Sequence, residues 1–165
     1  MLLLGIDIGT SSIKVSVVDP ETQAAIASAQ YPDEESPILA PQPGWAEQSP
    51  DMWWLQVQQA IQLCNKSEKY DPNDISAIGI AYQMHGLVLV DKNQHVLRNS
   101  IIWCDSRAVE TGEKAFKAIG EKKCLERLLN SPGNFTASKL AWVKQNEPDV
   151  YDQIDKIMLP GDFIA

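Results

Sequence analysis

Leu2-Leu3-Leu4-Gly5-Ile6-Asp7-Ile8-Gly9-Thr10-Ser11-Ser12-Ile13-Lys14-Val15-Ser16-Val17-Val18 decides the fold. Leu2 to Ile8 is a short apolar run rich in strand formers, and Gly9 to Ser12 is turn chemistry. From Ile13 the chain alternates, with Ile13, Val15 and Val17 on one face and Lys14 and Ser16 on the other. Asp19-Pro20-Glu21-Thr22 makes a second turn, and Ala24 to Tyr31 reads as a third strand. Three strands joined by short turns form an antiparallel meander.

Beyond the meander the pattern changes. Pro32, Pro37, Pro41, Pro43 and Gly44 leave residues 32–48 as a loop. Ser49-Pro50-Asp51 opens a helix with a cap, a first-turn proline and an early acid, and Trp53, Val57, Ala60, Ile61 and Cys64 form its apolar stripe. Ile75 to Tyr82 is a further apolar strand, expected to be buried, that runs into Gln83-Met84-His85-Gly86. Leu87–Val90 and His95–Leu97 predict a hairpin around Asp91-Lys92-Asn93-Gln94, and Ser100 to Trp103 another short strand. Val109, Gly112, Phe116 and Ile119 are spaced for a helix ending near Gly120, and Ser131-Pro132-Gly133-Asn134 is a loop. Residues 137–146 predict a helix stopped before Pro148, Ile154 to Leu159 a last strand, and Pro160-Gly161-Asp162 a turn. Strands that come first as a meander and later alternate with helices predict an α/β domain, a mixed sheet with flanking helices.

The bulk numbers bound the function. At 165 residues the chain can bury a core, and 44% hydrophobic and 22% charged residues are ordinary for a soluble globular protein. No stretch reaches the roughly 20 apolar residues of a membrane span, and the start lacks the basic region of a signal peptide. A net charge of −8 argues against a nucleic-acid partner. Cys64, Cys104 and Cys124 are odd in number and form no CxxC pair, so they read as reduced thiols of a cytoplasmic protein rather than zinc ligands.

Three segments carry chemistry. In Asp7-Ile8-Gly9-Thr10-Ser11-Ser12 an acid ends a buried-looking strand, where it needs a partner such as a divalent cation. Gly9 permits close backbone approach, and Thr10 and Ser11 offer hydroxyls and N–H groups, so the turn can cradle a phosphate. The same residues also fit a plain hairpin. Gln83-Met84-His85-Gly86 follows a strand at the position where α/β sheets gather ligands. Gln and His can bond hydroxyls and Met can pack on a sugar's carbon face, or the segment is a capped strand end. Trp103-Cys104-Asp105-Ser106-Arg107 offers an aromatic wall, an acid and a guanidinium suited to a polyol. It equally fits a helix N-terminus capped by Asp105 or Ser106, with Arg107 paired to an acid. Trp53 and Trp54 read as packing, His95 as a solvent-facing hairpin residue, and Glu113, Lys114, Lys117, Glu121, Lys122 and Lys123 as one solvated helix face.

Taken in register, these segments resemble the FGGY carbohydrate kinases, most closely their xylulokinase branch. The resemblance rests on Gly5-Ile6-Asp7-Ile8-Gly9-Thr10-Ser11-Ser12-Ile13-Lys14, Gly44-Trp45-Ala46-Glu47-Gln48-Ser49-Pro50 with Trp53-Trp54, and Gly79-Ile80-Ala81-Tyr82-Gln83-Met84-His85-Gly86. It continues through Ile102-Trp103-Cys104-Asp105-Ser106-Arg107, Phe135-Thr136-Ala137-Ser138-Lys139-Leu140-Ala141-Trp142 with Asn146-Glu147-Pro148, and Lys156-Ile157-Met158-Leu159-Pro160. It implies an actin-like, ribonuclease-H-like ATPase fold and transfer of phosphate from ATP, with Mg2+, to a sugar held between two domains. By that resemblance Asp7 positions the magnesium, through water, and the phosphoryl group, and Gly9, Thr10 and Ser11 lie against the ATP phosphates. Met84 and His85 contact the sugar, with Trp103 and Asp105 as its looser neighbours. Gln83-Met84-His85-Gly86 points to D-xylulose first and gluconate second, and away from glycerol, whose kinases carry an Arg-Glu pair at Met84-His85.

The family's catalytic base and most of its adenosine pocket lie beyond residue 165. The expectation is therefore that residues 1–165 are the N-terminal part of the first kinase domain, an incomplete domain inactive alone. The competing reading is a non-catalytic partial domain that binds sugar weakly or associates with copies of itself.

Overall fold

The structure, a computed structural model, describes residues 1–165. The chain divides into two compact units. The first comprises Met1–Pro37, Asp51–Gln83 and Gly161–Ala165, and the second Ile38–Pro50 and Met84–Pro160.

The first unit is built on the opening meander. Strands β1 (Leu2–Ile8), β2 (Ile13–Asp19) and β3 (Ala24–Tyr31) pair antiparallel, with Asp7 opposite Lys14 and Gly5 opposite Ser16. Alternation sends Leu4, Ile6, Ile8, Ile13, Val15 and Val17 into the core and leaves Gly5, Asp7 and Lys14 facing solvent. Glu47–Gln48 forms β4, which belongs to the second unit. Helix α1 (Pro50–Asn65) then buries Trp53, Val57, Ala60 and Cys64, the stripe its spacing predicts. It is the crossover that lets β5 (Ile75–Tyr82) pair parallel with β1, giving a mixed sheet ordered β3-β2-β1-β5. Ile6 and Ile80 of the sheet and Val57 and Ile61 of α1 line one apolar cleft, so α1 lies on that face without closing over it.

The burial expected of β5 is corrected. It is the edge strand, no strand pairs its outer side, and Ile78 remains 60% exposed. A largely apolar run signals a strand but does not say what covers it.

The second unit contains small sheets and helices. β4 pairs with β7 (Ser100–Ile101), and β6 (Val88–Val90) with β8 (Lys156–Met158), all antiparallel. The predicted hairpin is present as a Val90–Val96 bridge closed by Asp91, whose carboxylate accepts from the backbone of Asn93 and His95. Helix α2 (Val109–Ile119) ends at Gly120, where a separate helix α3 (Glu121–Leu128) begins and buries Cys124. The charged residues on both helices are exposed, as expected, but the single face they suggested is broken at Gly120. Helices α4 (Thr136–Asn146) and α5 (Pro148–Tyr151) follow. Helix α6 (Pro160–Ile164), which apart from Pro160 belongs to the first unit, occupies the expected turn. Leu87, Leu89, Ile101 and Val143 form the unit's core, with Leu140, Trp142, Tyr151 and Ile154 packed around it. No helix in the chain is long and apolar enough to cross a membrane.

Candidate functional site

In the first unit, the turn after β1 forms a tight loop. Gly9 N donates to Ser12 O at 3.2 Å. A Cβ at Gly9 would lie 2.8 Å from that same oxygen, so glycine is what the turn admits. Thr10 Oγ1 donates to Gln83 Oε1 at 3.3 Å, and Gln83 N donates to Ile8 O at 2.9 Å, which ties the turn to the end of β5. Ser11 is exposed, and its carbonyl accepts from Ser36 N at 2.7 Å.

Asp7 departs from the expectation of a buried acid. The pleat points it away from the core, and it shares a cleft of about 580 Å³ with Gly5, Lys14, Ser16, Gly79 and Ala81. Gly5 and Gly79 are register partners, so two adjacent strands present bare backbone to that cleft. An exposed carboxylate pays little desolvation and needs no cation for its stability. It is nonetheless a suitable magnesium donor: this ion takes one or two protein carboxylates, waters and substrate phosphates rather than a full protein cage. No group of three or more His, Cys, Asp or Glu residues gathers anywhere in the chain. Asp7, with the hydroxyls of Thr10 and Ser11 and the Gly9 turn nearby in sequence, thus fits a magnesium–phosphate ligand, not a bare metal ion.

In the second unit, Met84, His85 and Trp103 line a cleft of about 380 Å³ together with Val109 and the segment Asn130, Ser131, Gly133, Asn134 and Phe135. Met84 is 62% exposed and Trp103 46% exposed, so both present apolar surface to an occupant. His85 takes φ +60°, a left-handed conformation that costs a non-glycine residue about 1–2 kcal/mol. Its ring stacks on Phe135 with centroids 4.7 Å apart and planes 21° apart. Burial, and then the charge of Lys139, hold its pKa below the ordinary value, which favours the neutral ring. A neutral imidazole can both donate to and accept from a hydroxyl.

Asn130, Ser131 and Asn134 were not singled out by sequence reasoning. Their only signal was a polar loop between helices. What carries them to the cleft is the close approach of α2: Gly112 is buried, and a Cβ there would lie 2.8 Å from the Pro132 carbonyl carbon.

Asp105 is not on this cleft. It is 1% exposed, and Oδ2 accepts from Ala46 N at 2.6 Å and from Arg107 Nη2 at 2.7 Å. Arg107 Nε and the Arg107 backbone N–H reach Oδ1. With its oxygens so engaged, Asp105 is a structural anchor. The helix-cap reading fails as well, since α2 has no side-chain cap. The expected pairing of Arg107 to an acid is present, and Glu47 provides a second one at 2.7 Å.

The pattern of the N-terminal domain of the FGGY family of carbohydrate kinases matches residues 2–165. The chain belongs to the FGGY family. Xylulose kinase from Escherichia coli strain K12 is 36% identical over 163 residues, covering 99% of this chain and 32% of that protein. A crystal structure described as a xyloylose kinase from Brucella ovis superposes with a TM-score of 0.88 at 33% identity, covering 99% of this chain and 33% of the other. Gluconate kinase from Lactobacillus acidophilus superposes with a TM-score of 0.83 at 26% identity over 99% of this chain and 32% of its own. The FGGY chain therefore spans about a third of the length of the curated relatives it matches, and its fold is the actin-like ATPase fold expected from the sequence.

Proposed function

We propose that these 165 residues are the front part of a cytoplasmic sugar kinase that transfers the terminal phosphate of ATP to a hydroxyl, D-xylulose being the first-choice acceptor and gluconate the second. The observation that carries the reading is the cleft in which Met84, His85 and Trp103 meet Asn130, Ser131 and Asn134, an apolar wall facing several hydroxyl-binding groups. The names of the relatives support the choice of sugar.

In this reading Asp7 and the Gly9-Thr10-Ser11 turn hold magnesium and the phosphates, and the cleft of the second unit orients the sugar. When bound, magnesium neutralises charge on the transferring phosphoryl group. The chain's own residues then contribute position: Asp7 fixes the ion, the turn fixes the phosphates, and His85 fixes the accepting hydroxyl. The base that takes the hydroxyl proton and the adenosine pocket are proposed to lie in the part of the kinase that these residues do not include. On that account residues 1–165 alone do not turn over.

The test is an ATP-dependent phosphorylation assay on D-xylulose, D-gluconate and glycerol, run on the protein at the length of its relatives and on residues 1–165. Transfer to xylulose by the longer protein only is expected. Preference for glycerol, or turnover by the 165 residues, would contradict the proposal. A second reading, self-association of the isolated chain, is favoured by the unpaired outer edge of β5. A constant sedimentation coefficient across protein concentrations would exclude it.

A further inference from the structure

Lys139 is 0% exposed, although it is a lysine near the start of helix α4, where a long cation ordinarily reaches water. Its Nζ donates to the His85 carbonyl at 2.6 Å. It does not line the cleft of Met84 and His85. Burying an ammonium costs stability, and a methionine would fill a similar volume without that cost. Burial pushes its pKa down to about 8, against the pull of Asp105 and Cys104 and with a small addition from Arg107. The site therefore retains a costly group whose one described hydrogen bond goes to the backbone of a cleft residue.

That bond lands on a residue whose backbone is strained. His85 sits at φ +60°, and its ring is stacked on Phe135. Phe135 and Lys139 are one turn apart at the start of α4, and Lys139 N donates to Phe135 O at 3.2 Å. One helical turn thus grips His85 twice, its ring through Phe135 and its carbonyl through Lys139. A carbonyl held by a charged donor stabilises a backbone conformation that the side chain alone does not favour.

We propose that Lys139 is a positioning residue for the sugar cleft: its ammonium fixes the His85 backbone in the left-handed conformation, so that the imidazole lies on Phe135 and faces the acceptor hydroxyls. The identity of the occupant as a sugar rests on the function proposed above, whereas the control of His85 by Lys139 does not.

The two parts separate in one experiment. The chain has two histidines, His85 and His95, and His95 is on the surface, so histidine-labelled protein gives an NMR probe with an internal control. The Lys139→Met variant is compared with the unmutated chain, each titrated with D-xylulose. Loss of the Phe135 ring-current shift at His85, an unmoved His95, and sugar affinity weaker by about tenfold are expected. A folded variant with unchanged His85 signals overturns the proposal. If xylulose moves no signal in either protein while the ring is still displaced in the variant, positioning stands and the sugar reading falls. Should the variant fail to fold, the unmutated chain decides. A slowly exchanging Lys139 ammonium, coupled through the hydrogen bond to the His85 carbonyl carbon, is expected. An ammonium exchanging as fast as those of surface lysines overturns the proposal.

Discussion

The Arg107 guanidinium carbon lies 3.7 Å from the centre of the Trp45 ring. Trp142 meets Trp45 edge-on at 5.3 Å and flanks the same guanidinium at 5.1 Å. In its own plane Arg107 bonds Asp105, and Glu47 is shared with Arg98, which reaches Glu147 at 2.7 Å. A single buried cation thereby joins residues 45–47, the loop carrying Trp103 and helix α4. Both stacking and the forked bonds need a planar guanidinium.

Arg107→Lys keeps the charge and loses the fork and the stacking. We expect it to lower the unfolding free energy by about 3 kcal/mol, the low end for breaking a buried ion pair. Urea denaturation reads this directly. A midpoint equal to that of the unmutated chain would mean that the lysine recovers both acids.

Gly9→Ala tests the tight turn. The new methyl would meet Ser12 O at 2.8 Å, so the loop must open. A loss of about 1–3 kcal/mol is expected, as for other overpacked sites, measurable by thermal unfolding. Gly79→Ala meets nothing within 4 Å and serves as the control.

Stability should depend on the protonation of His85. Its folded pKa is lowered by burial and by Lys139. Between that value and the unfolded value near 6.5 the unfolded chain binds the extra proton, so this part of the stability is present above 6.5 and is lost as pH falls below it. The urea midpoint should drop as pH falls below about 6.5, and His85→Gln should flatten that drop. An unchanged slope in the variant would assign the effect elsewhere.

The strands of the meander, β5, α1, α2 and α4 were legible because apolar periodicity and turn chemistry act locally. The solvent-facing side of β1 was not, since Asp7 follows Ile6 in a run that looks buried throughout. Asp105 misled because its partner Ala46 is remote in sequence, and only the folded chain shows its oxygens occupied. Lys139 was unreadable for a related reason: a helix lysine is presumed solvated until its neighbours are known. Met84, His85 and Trp103 were found in one cleft as expected, while Asn130 and Asn134 reached it through packing that no spacing announces.

The central claim divides labour between the Asp7 turn and the Met84–His85 cleft. Steady-state kinetics of Asp7→Ala, in the protein at the length of its relatives, tests it most directly. Asp7 is exposed and contributes no core packing, so the variant should fold normally. The account predicts a fall in kcat of about 100-fold or more, with sugar affinity nearly unchanged. A variant that keeps its kcat, or loses sugar binding instead, would contradict it.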